Sequence, residues 1–288
     1  MPALSSEIKG EGPPLLVIHG FTGDRSTMSS ITEPLSENYS VVYVDLPGHG
    51  ETGRDLEASL FTFEGTLSAL IEVMDFYDVE EFSVLGYSMG GRLSLGLATN
   101  YPGRIKNTIL IGATAGISDE NLRSARRRSD DRLADEIVEN GIEWFVTYWM
   151  EQPIFESQIR IGSENLDVSR KQRLKNDAKG LSNSLRGAGT GSQPSLWRQL
   201  NKVISPTLII VGEEDSKFRS LAVRLNSGIL RSEIVIVPES GHACHLENPD
   251  FTLEAINYGH PSLGQEMDLR FFENRPKSWV TLRVFSTV

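Results

Sequence analysis

Gly86-Tyr-Ser88-Met-Gly90 sets a serine between two glycines where the apolar run FSVLG gives way to the helix-like stretch MGGRLSLGLATN. That context predicts a tight strand–turn–helix junction, with glycines relieving the crowding and the serine hydroxyl lifted above a sheet. The N–H groups that open the helix then face developing negative charge. A serine hydroxyl is unreactive until an imidazole takes its proton, and the imidazole needs a carboxylate to hold it. Ser240-Gly-His242 follows the run EIVIV and Gly212-Glu-Glu-Asp215 follows TLIIV, so both groups sit just past strand candidates. Among the three acids Asp215 is preferred over Glu213 and Glu214, because it lies furthest past the strand, where a loop turns inward. His19-Gly20-Phe21 closes an earlier apolar run, and the Phe21 N–H is expected to join the Met89 N–H in an oxyanion hole. A chance Gly-Ser-Gly loop would not bring these flanking elements with it.

The remaining histidines carry less chemistry. His19 is read as structural, and Asp45-Leu-Pro-Gly-His49-Gly50 as a sharp turn whose Asp45 and His49 make local hydrogen bonds. His245 is read as a surface or capping residue, and His260 falls in the C-terminal tail. His242, Cys244 and His245 are too crowded, and lack a second ligand cluster, for a metal site. Arg123, Arg126 and Arg127 share one face of a helix by their spacing, and Arg92 lies one turn after Ser88. A solvated face is the commoner meaning of such a cluster, but guanidinium forks also recognise carboxylates. An arginine beside a reactive serine points to an anionic substrate, since a neutral one would leave a buried charge uncompensated.

These groups need a scaffold that brings distant strand ends together. Apolar runs at Leu15–His19, Val41–Asp45, Phe82–Gly86, Asn107–Ile111, Thr207–Val211 and Glu233–Val237 read as strands covered on both faces. Helices are expected near Ser26–Leu35, Phe63–Tyr77, Met89–Asn100 and Pro249–Tyr258. Such alternation predicts α/β architecture around a mostly parallel central sheet flanked by helices. With the order Ser, Asp, His it matches the α/β-hydrolase fold. The alternation lapses between Ala113 and Gln199, where helices at Asp119–Asn140, Ile142–Met150 and Ser169–Leu185 suggest a helical lid insertion. The expected organisation is a core of residues 1–112 and 200–258, a lid of residues 113–199 and a C-terminal extension of residues 259–288.

The 288 residues suffice for one large core, and the net charge of −11 disfavours nucleic acid or an anionic membrane surface. The lid region holds 13 basic and 13 acidic residues, so the remainder of the chain carries the whole charge. No apolar run approaches the ~20 residues of a membrane span, so no stable membrane insertion is expected. The N-terminus lacks the marks of a secretory signal, and a lone cysteine fits a reducing compartment, so the cytoplasm is the expected location. Both a monomer and a homo-oligomer are compatible with this composition.

GYSMGGR (86–92), ARRRSD (125–130), YWMEQPIF (148–155), GEEDSKFRSLA (212–222) and SGHACHLENP (240–249) together resemble one family, the 2-succinyl-6-hydroxy-2,4-cyclohexadiene-1-carboxylate synthases of the menaquinone pathway. The resemblance runs from about Leu15 to Pro249, and the arginine-rich segment and Asp-Ser-Lys-Phe-Arg are far more specific than Gly-x-Ser-x-Gly. It implies a cofactor-independent lyase that removes pyruvate from a small polycarboxylate, in menaquinone or phylloquinone biosynthesis. It also implies a triad of Ser88, Asp215 and His242 and oxyanion donors on Phe21 and Met89. Substrate contacts are implied at Tyr87, Arg92, Arg126, Trp149, Arg173 and Lys217, with Arg173 in the most loosely matched stretch. One departure is the tail, some 30 residues beyond the last expected helix, in which WVTLRVFSTV alternates like a strand. The rival readings are a serine hydrolase for an ester or carbon–carbon bond of an acidic substrate, and a binding protein that keeps the same shell. The arginines weigh against an esterase for neutral substrates, and the complete Ser–Asp–His set weighs against a receptor.

Overall fold

The computed structural model describes residues 2–259. In chain order the first half runs β1 (Ser6–Lys9), β2 (Pro14–Ile18), α1 (Ser29–Leu35), β3 (Ser40–Val44), α2 (Phe63–Phe76), β4 (Phe82–Tyr87), α3 (Met89–Asn100) and β5 (Ile105–Ile111). Three helices follow, α4 (Glu120–Met150), α5 (Gly162–Arg173) and α6 (Ala178–Ala188). The chain ends with β6 (Thr207–Gly212), α7 (Ser216–Gly228), β7 (Ser232–Val237), α8 (Cys244–Glu247) and α9 (Pro249–Gly259). Residues 260–288, with His260 and the strand-like segment, lie outside the described residues.

The strands form one sheet in the order β1-β3-β2-β4-β5-β6-β7, parallel except for β1. Successive side chains on a strand point to opposite faces, and here both faces are covered. Leu16, Ile18, Val42, Val44, Val84, Ile209 and Val211 pack with residues of α2, α3 and α7. Leu15, Val17, Val41, Leu85, Ile210 and Val235 pack on the other face with residues of α1 and α9. That two-sided burial is why the strands read as unbroken apolar runs rather than as alternating ones. After β2 the chain adds β3 on one side and then β4 on the other. The β2–β4 pair is therefore the switch point of the sheet, and a crevice opens past the carboxyl ends of these two strands. Phe21 and Ser88 leave the sheet there.

Two expectations need correcting. The edge strand β1 was not foreseen, because its sequence SEIK has no apolar run; it is held by backbone pairing with β3. The helix expected over Ser169–Leu185 is two helices, with α5 starting earlier and the chain breaking at residues 174–177. The Asp177 carboxylate accepts from the Gly180 N–H at 2.9 Å and caps a fresh helix, so a new start was favoured over continuation. The expected break between Asn140 and Ile142 is present, since Gly141 adopts φ 82° and ψ 176° inside α4. α4 and α6 share a cluster of Ala134, Ile137, Phe145, Leu181 and Leu185, against which Phe21 and Trp149 pack. No helix among the described residues is long and apolar enough to cross a membrane.

Candidate active site

Ser88 sits between β4 and α3 with φ 52° and ψ −104°, a conformation that costs a non-glycine residue about 1–3 kcal/mol. The flanking glycines make this turn sterically possible. A Cβ on Gly86 would lie 2.3 Å from Gly90 backbone atoms, and one on Gly90 would lie 2.0 Å from the Ile18 carbonyl oxygen. Gly90→Ala must therefore push α3 away from β2. It is expected to cost about 1–3 kcal/mol or more as overpacking does, read as a lower urea midpoint by circular dichroism. An unchanged midpoint would show that the junction is more pliable than these distances say.

His242, past β7, reaches Ser88 with Nε2···Oγ at 3.0 Å, and its Nδ1 lies 2.8 Å from Asp215 Oδ2. A neutral imidazole in this position donates Nδ1–H to the carboxylate and accepts the serine proton at Nε2. Asp215 does double duty, since its Oδ1 accepts from the Phe218 N–H at 3.1 Å and caps α7. Of the three acids it is Asp215 that bonds His242, and the other two have different partners. Glu214 pairs with Arg160, and Glu213 accepts from the Glu239 N–H at 3.2 Å. The Phe218 ring lies 4.4 Å from the His242 ring, centre to centre, and limits its swing. The N–H groups of Phe21 and Met89 donate to none of the described residues, leaving two free donors beside Ser88.

Ser88 and His242 open onto a cavity of about 260 Å³ that Phe21, Met89, Arg92, Arg126, Trp149 and Lys217 also line. Arg92 is buried, and burial, with Arg126 nearby, pulls its guanidinium pKa down to about 10. Its Nη1 donates to the Ala188 carbonyl at 2.9 Å and to Gln193 Oε1 at 2.8 Å. Arg126 Nε bonds Asp130 Oδ1 at 2.7 Å. Two guanidiniums thus stand on the cavity wall, and the Asp130 carboxylate that holds one of them lies behind the lining. Lys217 stands exposed at the rim, and Trp149 packs edge-on against Phe21.

Tyr87 and Arg173 do not line this cavity, contrary to expectation. Tyr87 ends β4 on the face opposite the α3 side and packs against the His242 and His245 rings. Arg173 is turned along its own helix, its Nη1 bonded to the Ser169 carbonyl and hydroxyl. Burial raises the Tyr87 phenol and lowers the Arg173 guanidinium.

His245 is also not where the sequence put it. It is fully buried, its ring 4.2 Å from that of Tyr87, and neither ring nitrogen has a hydrogen-bond partner among the described residues. Burial and the neighbouring His242 and Arg173 push its pKa down to about 3. A polar residue on a short amphipathic segment looks exposed until the packing of α8 under the sheet is known. His49 makes the expected local bond, to the Pro47 carbonyl, and Asp45 accepts from the Glu51 N–H, while longer-range bonds join His49 to the Thr22 N–H and the structural His19 to the Leu46 N–H. Among the described residues no three His, Cys, Asp or Glu side chains gather as metal ligands.

Sequence reasoning missed Asp130, Gln193 and Phe218. The first was legible as an Arg126–Asp130 pair at helical spacing. Nothing local to Gln193 announces its link to Arg92.

The chain matches the family model described as alpha/beta hydrolase fold over residues 13–249. A Bacillus subtilis (strain 168) relative, provisionally named a 2-succinyl-6-hydroxy-2,4-cyclohexadiene-1-carboxylate synthase, is 37% identical, covering 84% of this chain and 89% of its own. The synthase of that name from Citrobacter koseri is 30% identical, over 85% of this chain and 92% of its own. The solved structure of MenH from S. aureus superposes with a TM-score of 0.83 at 33% identity, covering 88% of this chain and 98% of that one.

Proposed function

The chain belongs to the 2-succinyl-6-hydroxy-2,4-cyclohexadiene-1-carboxylate synthase family within the α/β-hydrolase fold, and from that premise we propose that it is a carbon–oxygen lyase. It eliminates pyruvate from 2-succinyl-5-enolpyruvyl-6-hydroxy-3-cyclohexene-1-carboxylate and leaves the conjugated cyclohexadiene. The observation that carries this reading is a serine–histidine pair opening onto a pocket lined by two guanidiniums and, among the described residues, by no carboxylate. Such a pocket favours a substrate with several carboxylates over a neutral ester.

In this reading the Ser88 hydroxyl gives its proton to His242, and the serine oxygen takes the proton from the ring carbon beside the succinyl ketone. The electron pair of that C–H bond moves into the ring, and the ring C–O bond to the enolpyruvyl group breaks. The departing enolate takes up a proton to become pyruvate, so no acyl-enzyme forms. Negative charge on the ketone oxygen is met by the N–H groups of Phe21 and Met89. Asp215 holds the imidazole, and Arg92 and Arg126 hold carboxylates, with Trp149 and Lys217 completing the wall. Tyr87 and Arg173 take part only if α5 shifts to turn Arg173 inward. Residues 113–199 act as a lid over a core of residues 1–112 and 200–258. The enzyme is cytoplasmic and works without a cofactor.

The test is to generate the enolpyruvyl substrate with the enzyme that precedes this step, then follow diene absorbance and pyruvate together. Faster release of both than the uncatalysed background is expected. Release no faster than background, with turnover of nitrophenyl esters instead, would replace the lyase by a hydrolase. Arg92→Ala is expected to raise KM ~10- to 100-fold, the loss of one charge-assisted pair, with kcat far less affected.

A further inference from the structure

Arg92 is a buried cation, yet among the described residues no carboxylate lies within ion-pairing distance of it. Both hydrogen bonds it makes come from Nη1, and both acceptors belong to the segment that leads from α6 back to the core. One is the Ala188 carbonyl and the other is the side-chain oxygen of Gln193, a residue with no exposed surface. Gln193 Nε2 has no partner among the described residues, and a Cβ on the cavity-lining Gly116 would come within 3.3 Å of it. Residues 188–193 are themselves pinned. Gln193 N–H donates to the Gly189 carbonyl at 3.0 Å, and Gly191 N–H donates to Asp130 Oδ2 at 3.0 Å. Asp130 is also the carboxylate that orients Arg126. One short segment therefore fixes both guanidiniums on the cavity wall.

We propose that Gln193 is a positioning residue that aims the Arg92 guanidinium at a substrate carboxylate, an inference that rests on the lyase reading of the pocket. The neutrality of the amide is what suits it to the task. A carboxylate at this position would hold Arg92 equally well but would cancel the charge that attracts the substrate. An amide oxygen fixes direction and leaves the positive charge for the ligand. Because the acceptor is buried, it keeps its direction without competition from water.

The experiment is a double-mutant cycle on the full-length protein, with succinate as the probe of carboxylate binding and lyase kinetics alongside. Gln193→Met, which keeps the side-chain length, is expected to weaken succinate ~10-fold and to raise KM similarly with kcat within ~3-fold. Gln193→Glu keeps the acceptor and should also weaken succinate, now by discharging Arg92. In an Arg92→Ala background, Gln193→Met should have an effect under ~2-fold, because the group it aims is gone. A residue that only stabilises the segment would lower both backgrounds alike, and thermal melting of each variant reports that separately. The proposal is overturned if Gln193→Met binds succinate as wild type does, if its loss persists without Arg92, or if the wild type binds no succinate. A wild type that binds succinate but releases no pyruvate would reject the lyase and leave the Gln193 cycle to be read on its own.

Discussion

Ser88→Ala is expected to lower kcat by ~10³- to 10⁴-fold while KM stays within a few-fold of wild type. In the proposed step the serine oxygen takes the substrate proton, and among the described residues its own proton has one acceptor side chain, the His242 Nε2 at 3.0 Å. Alanine removes that base but leaves the N–H donors of Phe21 and Met89, which retain part of the rate, a single such donor typically being worth ~2.7–4 kcal/mol. Arg92 and Arg126 are untouched, so binding should persist. His242→Ala should cost about as much, and the double variant little more than either single one, because the two groups move one proton as a unit. Asp215→Asn is the informative third case. An amide oxygen can still cap α7 in place of Oδ1, so the fold survives, while the imidazole loses its anionic partner. Steady-state kinetics on the in situ substrate read all four variants. A loss under ~10-fold for Ser88→Ala, or multiplicative effects in the double variant, would remove the serine from the proton-transfer step.

The second large effect is on stability. His19, His49 and His245 are all buried, and all have pKa values below the ordinary histidine value of 6.5, with His49 and His245 near 3. Burial is the leading cause in each, joined by repulsion from His19 at His49 and by His242 and Arg173 around His245, while the Gly20 carbonyl, Asp45 and Asp24 oppose it at His19. The unfolded chain takes up these protons as pH falls through about 6.5, and the folded chain does so at lower pH, near 3 for His49 and His245. Folding stability is therefore complete above pH 6.5 and declines below it. His49 and His245 each add about 1.4 kcal/mol per pH unit and His19 acts in the same direction, so the decline is about 3–4 kcal/mol per pH unit, against a total stability of about 5–15 kcal/mol for a typical domain. Unfolding is expected between roughly pH 5 and 4, well above the range where carboxylates alone would drive it. Urea titrations at pH 7.5, 6 and 5 measure the slope. His245→Leu should reduce it by about one third, since one titrating group is gone. An equal urea midpoint at pH 7.5 and pH 5 would contradict the burial of these rings.

The sequence by itself determined the six parallel strands and singled out Ser88, Asp215 and His242 as the candidate centre, and the reason is local. Two-sided burial writes a strand as an apolar run, and a strained junction at Ser88 leaves its mark as Gly86 and Gly90. The acid and the base lie directly after strands, where a parallel sheet gathers its loops at one end. Gly141 likewise announced its own break in α4. What tertiary structure alone decided are pairings across long stretches of chain. Gln193 meets Arg92 a hundred residues away in sequence, held there by the turn from Ala188 to Gln193. Arg173 faces Ser169 rather than the cavity because α5 ends where Asp177 starts a new helix. His245 is buried because α8 tucks it beneath Tyr87, a contact that neither residue's neighbours in sequence encode. Local physics sets which residues can do chemistry, and the packing of segments remote in sequence sets which of them face the substrate.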